Sequence, residues 1–469
     1  MNIPQEMIAH LNRKPAVRGG YVLYWMQQSQ RAEYNPALEY AVQEANRLGL
    51  PPVVVFGLTT RYPEANLRHY AFMLEGLAET RAVLADRGIH MAVLRGHPPE
   101  VALAAGKNAA AIICDRGYLR HQREWRQEVA RGADCPVIQI EGDAVVPVET
   151  AYPKAAYSAR ILRARIQALM EEGMVPIDPV AVKVPSAGMG RGGPDMEGIA
   201  LHPLADLLKS LEFDGEPVAP SPFFTGGTTR AKQRFDTFLE NNLAVYDRHS
   251  NQPQLDDVSR MGPYLHFGQI SPLWLALRIQ ALRKDCPEGA TAYLEELVVR
   301  RELSFNYVFY TEGYDRFEAL PPWARKTLLE HRGDERPEIY SPAELERAET
   351  HDPYWNAAMK EMVHTGFMHN YMRMYWGKKV LEWSESPEAA FRRLLRLNNR
   401  YFIDGRDPNS YAGVAWIFGL HDRAWKERPI FGKIRYMAAS GLERKCDIRA
   451  YVRRIEGLIS AKTPPHASP

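Results

Sequence analysis

The sequence predicts a chain in two parts: a doubly wound α/β domain on a parallel sheet over residues 1–180, a connection over 181–228, and an all-helical domain over 229–469. Three observations carry this. Between residues 20 and 145 short apolar runs alternate with amphipathic ones, the βαβα rhythm that buries a parallel sheet between helices. From Val175 to Thr229 Pro and Gly are concentrated, as in connecting chain. Beyond Thr229 the apolar spacing is helical, with no recurring strand signal.

Taken in order, strands are expected at 21–25, 52–56, 90–94, 110–114 and 137–140, and helices at 36–48, 66–87, 98–105 and 122–131. Such sheets bind ligands beyond the carboxyl ends of their strands. The residues VLYWMQQSQR occupy the first strand and its turn, without a glycine fingerprint, which disfavours a plain nicotinamide-dependent dehydrogenase. Gly188, Gly190 and Gly193 do spell GxGxxG. They lie between prolines with no helix behind them, however, and read as flexible linker.

The formal net charge of +2 means that any nucleic-acid surface must be a local patch. No apolar run approaches the length of a membrane span, and the first residues lack the apolar core of a signal peptide. Cys114, Cys135, Cys286 and Cys446 are scattered without a CxxC pair. Neither a zinc site nor an iron–sulfur cluster is supported, and a reducing cytoplasm is expected.

The stretch 351–437 is the densest in chemistry. It holds Trp355, Trp376, Trp383, Trp416 and Trp425 among many Arg, Asp and Asn. Asp352 can cap a helix with Pro353 in its first turn, Gly366 marks a break, and a second helix is expected from about 368 to 383. Trp376 and Trp383 then lie two turns apart on one face, an arrangement whose ordinary reading is core packing. Ser386-Pro387 opens a further helix leading to Asn398. His364 and His369, five apart, point in different directions and make a poor metal pair. Upstream, Tyr246 and the run 258–272 could present backbone N–H groups to phosphate. Glu296 sits among Leu294, Leu297, Val298 and Val299, where a surface or salt-bridged carboxylate is the ordinary expectation. From His421 to Glu456 ten Lys and Arg face five Asp and Glu, with Trp425, Phe431, Tyr436 and Tyr451 interleaved. That pattern suits a phosphate backbone and something to stack on, or equally a solvated helical face.

The motifs ANLRHYAFML, PYLHFGQISP, EELVVRREL, DPYWNAAMKEMVHTGFMHNYMRMYWGKKVLEW and DGRDPNSYAGVAW, in this order, closely resemble those of class II cyclobutane pyrimidine dimer photolyases over nearly the whole chain. The resemblance implies an α/β antenna domain and a helical domain holding FAD in a U shape. It implies light-driven electron transfer from reduced FAD to a thymine dimer flipped out of DNA, double- or single-stranded. By the same resemblance Trp376, Trp355 and Trp383 form the chain that photoreduces FAD, with Trp376 nearest the flavin and Trp383 at the exposed end. Arg373 and Asp404 form a salt bridge beside the ring, and Asn398 lies near flavin N5. Asp404, Gly405 and Asp407 touch the flavin and ribityl region. Tyr246 and the loop Val258, Ser259, Arg260, Met261 and Gly262 hold the phosphates. Glu296, Met374 and Trp416 contact the dimer, and Arg423, Arg428, Lys433 and Arg435 the DNA backbone. No metal is implied. An antenna chromophore would be a deazaflavin rather than a folate. A monomer in the cytoplasm, nucleoid-associated when on DNA, is expected.

Two positions depart from the family pattern. Gly262 stands where Ser is usual, and Pro36 where Trp is usual. The rival readings are a cryptochrome-like blue-light photoreceptor on the same fold, a nucleic-acid-binding protein with a vestigial flavin pocket, and a small-molecule flavoenzyme active in the dark. Glu296, Met374 and Trp416 favour repair, as does the short stretch after Arg454.

Overall fold

Six strands form one sheet: β1 (Ile8–His10), β2 (Tyr21–Trp25), β3 (Pro52–Leu58), β4 (His90–Arg95), β5 (Ala109–Asp115) and β6 (Val137–Ile140). The computed structural model describes residues 3–15, 17–188, 196–213 and 217–461. The sheet order is β1-β6-β5-β2-β3-β4. Neighbours run parallel except β1, which lies antiparallel to β6 with Ala9 opposite Gln139. Five strands match the expected ones. β1 escapes sequence reading because three residues at a sheet edge carry no period.

Helices α1 (Pro36–Leu48), α2 (Leu67–Asp86), α3 (Pro98–Gly106) and α4 (Arg120–Gly132) cover the sheet. Val22, Tyr24, Val54 and Ile113 pack with α1 and α2, while Leu23, Trp25, Val53 and Val55 pack with α3 and α4. This alternation is the period-two geometry of strands buried on both faces. The Asn35 side chain caps α1 by accepting from the Leu38 N–H at 3.1 Å, and Pro36 occupies the first turn. A Cβ at Gly142 would come within 2.5 Å of the Pro36 ring, so Pro36 is a packed contact.

On either side of the expected flexible stretch the described residues of the connection are anchored, and Leu204–Lys209 forms a short helix. Ser186 is buried, its N–H donates to Gly88 O at 2.9 Å, and its hydroxyl donates to Pro52 O at 2.5 Å. The Ile199 N–H donates to Val93 O at 2.8 Å, and Leu201 is fully buried. A polar coil stays ordered where its backbone finds such partners. Gly190 and Gly193 lie outside the described residues.

The second half is helical. Arg68 at the start of α2 reaches into it, donating to the carbonyls of Ala219, Met362, Val363 and Tyr401. From the other side Glu302 accepts the N–H groups of Val145 (2.6 Å) and Val146 (3.3 Å). These buried bonds cross between the halves and fix the site described next. Among the described residues no helix is long and apolar enough to cross a membrane.

Candidate active site

The site is organised by the helix Asn370–Glu382. It follows the helix Pro353–Thr365 across Gly366, whose φ of 78° makes the expected break. A helix advances 100° per residue, so Arg373, Trp376 and the capping Trp383 share one face while Met374 and Lys378 share another. On this second face the helix lies close against the helix Pro408–Ile417. A Cβ at Gly377 would overlap the Ile417 side chain, and Lys378 Nζ donates to Ile417 O. One helix thus serves two compartments.

The first compartment is a line of buried aromatics. Trp355 is placed by Asp352, whose carboxylate accepts from the N–H groups of Tyr354 (2.9 Å) and Trp355 (3.1 Å). The Trp355 indole donates to Trp376 O at 3.0 Å, and its ring meets Trp383 edge-on at 5.6 Å between centroids. Trp376 meets Phe402 at 6.2 Å, and Phe402 carries the Arg373 guanidinium at 3.9 Å from its ring centre. Arg373 Nη2 lies 3.1 Å from both carboxylate oxygens of Asp404. The structure therefore brings Trp376, Trp355 and Trp383 together with Arg373 and Asp404. It corrects one expectation: Trp383 is 2% exposed and is not the exposed end. Tyr340 and His351 cover it, each 5.3 Å away, with the Tyr340 hydroxyl 2.6 Å from His351 Nδ1.

The flavin-site residues fit the group they are expected to hold. The Trp376 indole N–H is buried and has no hydrogen-bond partner among the described residues. Asn398 is buried, donating to Asn399 Oδ1 at 3.1 Å. A Cβ at Gly405 would stand 2.8 Å from Asn398 O, so the chain there needs glycine. A Cβ at Gly262 would stand 2.5 Å from the Asp404 carboxylate, so the serine usual in the family would press on Asp404. Arg260 adopts a φ of 56° and pairs with Asp256, Met261 is buried, Val258 is half-buried, and the Ser259 hydroxyl accepts from Tyr293 at 2.9 Å. Tyr246 packs edge-on to Tyr293 at 5.2 Å. Asp407 is placed differently from Asp404. It caps the helix Pro408–Ile417 and lies 3.2 Å from His266 Nδ1, on an interdomain cavity. Burial raises its carboxyl, but the bond to His266, the charges of His266 and Arg301 and the Asn409 N–H together outweigh this and hold it below the usual range.

The second compartment centres on Glu296. The segment Glu295–Arg300 is a single π-helical stretch between the helices Pro287–Leu294 and Arg301–Tyr310. Such bulges recur at functional sites because the extra residue re-aims side chains. Here Glu295 turns to Arg163 (2.7 Å) and Arg300 (2.9 Å). Glu296 is exposed to solvent at its surface, with protein packed close around its carboxyl. Desolvation raises its carboxyl above the usual range, opposed by the Arg300 charge and reinforced by Glu295. The Arg300 guanidinium lies over the Trp416 ring, 5.6 Å from its centre. Met374 and Trp416 are half-buried on their helices.

Past Trp416 the chain is irregular from His421 to Ala438, where a helical face was one of the two expectations. Arg423, Arg428, Lys433 and Arg435 are all exposed. The Trp425 ring lies between Arg423 (5.1 Å) and Arg435 (4.4 Å), and Arg428 lies over Tyr436 at 5.2 Å. Exposed guanidinium–aromatic stacks present cations to a polyanion and rings to bases.

Sequence reasoning missed Arg300, which its position four residues past Glu296 could have flagged, and Tyr340 and His351, which no local pattern marks. It placed a ligand beyond the carboxyl ends of the strands, where an interdomain cavity lies beyond β2 and β3, but assigned none of the lining residues to it. Trp25, Tyr62, Gln122, Trp125 and His266 line it. Trp25 Nε1, Gln27 Oε1 and Gln30 Oε1, on lining residues, are buried without partners among the described residues.

The architecture is that of photolyases and cryptochromes. The chain superposes on a bacterial class III photolyase from Agrobacterium tumefaciens with a TM-score of 0.72 at 19% identity, covering 94% of this chain and 87% of the other. It superposes on a Synechocystis cryptochrome at 0.69 and 17% identity, covering 93% and 89%. The DNA photolyase family profile matches residues 22–185. A deoxyribodipyrimidine photo-lyase of Methanothermobacter thermautotrophicus is 50% identical over 97% of this chain and 99% of its own. The one of Oryza sativa is 38% identical over 94% and 88%. The chain belongs to the DNA photolyase family.

Proposed function

We propose that this chain is a deoxyribodipyrimidine photo-lyase that repairs cyclobutane pyrimidine dimers in DNA, with FAD held beside Arg373, Trp376, Asn398 and Asp404. The observation that carries this reading is the buried line of Trp355, Trp376 and Trp383 ending at the Arg373–Asp404 pair, with Arg300 joining the neighbourhood of Glu296 to the Trp416 ring. Reduced FAD, when bound, supplies the light-driven electron. Arg373 and Asp404 would orient the ring edge, and Asn398 would present its amide there. Trp383, Trp355 and Trp376 would pass an electron inward, with Tyr340, hydrogen-bonded to His351, as the outer end where it enters. Glu296, its carboxyl pushed above its ordinary value by desolvation, would hydrogen-bond the dimer. Met374 and Trp416 would shape an apolar slot for the flipped-out dimer, which stacks poorly in the duplex and is cheap to extrude. Photolyases as a class act on extruded bases, so extrusion follows from membership.

The interdomain cavity suits a second chromophore. Its aromatic walls and orphaned polar atoms match a flat heteroaromatic ring such as a deazaflavin. The test is dimer loss from an oligonucleotide under blue light against a dark control. Light-dependent loss with stoichiometric FAD supports repair. Photoreduction without dimer loss moves the reading to a photoreceptor.

A further inference from the structure

The loop 152–158 belongs to the α/β domain by sequence, yet it lies against the helical one. Asn306 is almost fully buried and pins it there. Its Oδ1 accepts the Ala156 N–H at 2.8 Å, and its amide donates to Tyr152 O (3.3 Å) and Lys154 O (2.9 Å). A loop held this firmly would be expected to tuck its aromatic inward. Instead Tyr157 is 69% exposed, the most exposed of the large hydrophobic side chains described. Its carbonyl accepts from His421 Nδ1 at 3.1 Å. His421 opens the segment that carries the Arg423–Trp425–Arg435 stack, and Arg300, which lies over Trp416, acts on its charge. Tyr157 therefore lies beside the first residue of the basic loop, with Arg300 between that residue's surroundings and Trp416.

The chain on either side of Tyr157 is basic. Between residues 150 and 165 there are Lys154, Arg160, Arg163 and Arg165 and no acidic residue. Arg163 is committed to Glu295, whereas Lys154 and Arg160 are exposed and form no ion pair among the described residues. An exposed ring on a rigid backbone between free cations is the arrangement that stacks on a base while holding the adjoining phosphates.

We infer that the DNA-binding face extends onto the α/β domain, where Tyr157 stacks on a nucleobase beside the lesion and Lys154 and Arg160 hold the neighbouring phosphates. This rests on the repair reading above. The two cations extend the proposed basic loop across the pocket, so bound DNA spans both domains with the dimer between them.

The test uses FAD-loaded protein in the dark and a fluorescent duplex carrying one thymine dimer, titrated by anisotropy from low to high salt. Tyr157→Ala is expected to weaken binding by about fivefold or more at every salt concentration, while Tyr157→Phe keeps the affinity. The double variant Lys154→Ala, Arg160→Ala is expected to lower the slope of log K against log salt by about 2. FAD content and thermal unfolding should be unchanged in all three. Affinities within twofold of the parent together with an unchanged slope would overturn the inference. A parent protein that shows no preference for dimer-containing DNA would instead overturn the repair reading.

Discussion

Trp355, Trp376 and Trp383 differ from Trp425 in what surrounds the same side chain. The first three are at most 2% exposed and packed among rings, methionines and backbone. Trp425 is 38% exposed and lies between two guanidiniums. An indole shut away from water loses solvent reorganisation and gains fixed neighbours, which suits the passage of an electron. An indole held open between cations suits a stacked base and its phosphates. Residue type therefore does not assign a role here; burial and neighbouring charge do.

The largest expected effect breaks the buried side. Trp355→Ala removes a fully buried indole and is expected to cost about 3–5 kcal/mol of stability. Trp355→Phe keeps most of the volume and should leave a folded protein that binds FAD. In that variant light-driven reduction of the bound flavin should fail, while repair by chemically reduced protein persists. Transient absorption and thermal unfolding separate the two. Retained photoreduction in Trp355→Phe would remove Trp355 from the path.

A second prediction extends the contrast from indoles to cations. Lys378 is 1% exposed, and desolvation lowers its ammonium from the usual value to about 7, with Asp422 opposing and Arg435 adding to the shift. In the unfolded chain it titrates near 10.4. Between these values the unfolded chain binds more protons, so Lys378 makes stability rise with pH, at up to about 1.4 kcal/mol per pH unit. Below pH 7 its cost is fully present. The advantage of Lys378→Met over the parent should be greatest near pH 6 and shrink as pH climbs past 7. Denaturant unfolding at pH 6, 7.5 and 9 measures it, and a pH-independent difference would contradict it.

How far each region was legible follows the same division. The sheet and its helices were readable because period and caps are local: Asn35-Pro36 starts α1 and Gly49 ends it. The break at Gly366 was readable for the same reason. The buried line was legible only as two tryptophans on one helix face. That Trp355 joins them and that Tyr340 and His351 close them off depends on contacts between residues far apart in sequence. Glu296 was visible as a carboxyl in apolar company, but its π-helical setting was not, since one added residue per turn leaves no sequence mark. Ser186, in a stretch that composition marks as loose, is buried by bonds to β3 and the turn before β4.

On the exposed side, Trp425→Ala is expected to weaken binding to dimer-containing DNA by about 1–3 kcal/mol. Folding stability should move by no more than about 0.5 kcal/mol, because the ring supports little of the core. Anisotropy and thermal unfolding of the same sample test both halves. A loss of stability comparable to that in Trp355→Ala would erase the contrast between the two environments.

The smallest effect asks what the two guanidiniums around Trp425 do. Arg435 lies 3.1 Å from Asp422 and stacks on Trp425 at 4.4 Å, whereas Arg423 stacks at 5.1 Å and forms no ion pair among the described residues. A cation already paired with a carboxylate displaces fewer counterions from DNA than a free one. Arg423→Ala should therefore lower the slope of log K against log salt by about 0.9, the value for one phosphate contact. Arg435→Ala should weaken binding with less change in slope, because it frees Trp425 and leaves Asp422 unpaired. Salt titrations of the two variants side by side decide it. Equal slope losses would mean that Arg435 leaves Asp422 for the phosphate when DNA binds, and the stack would then be a feature of the free protein alone.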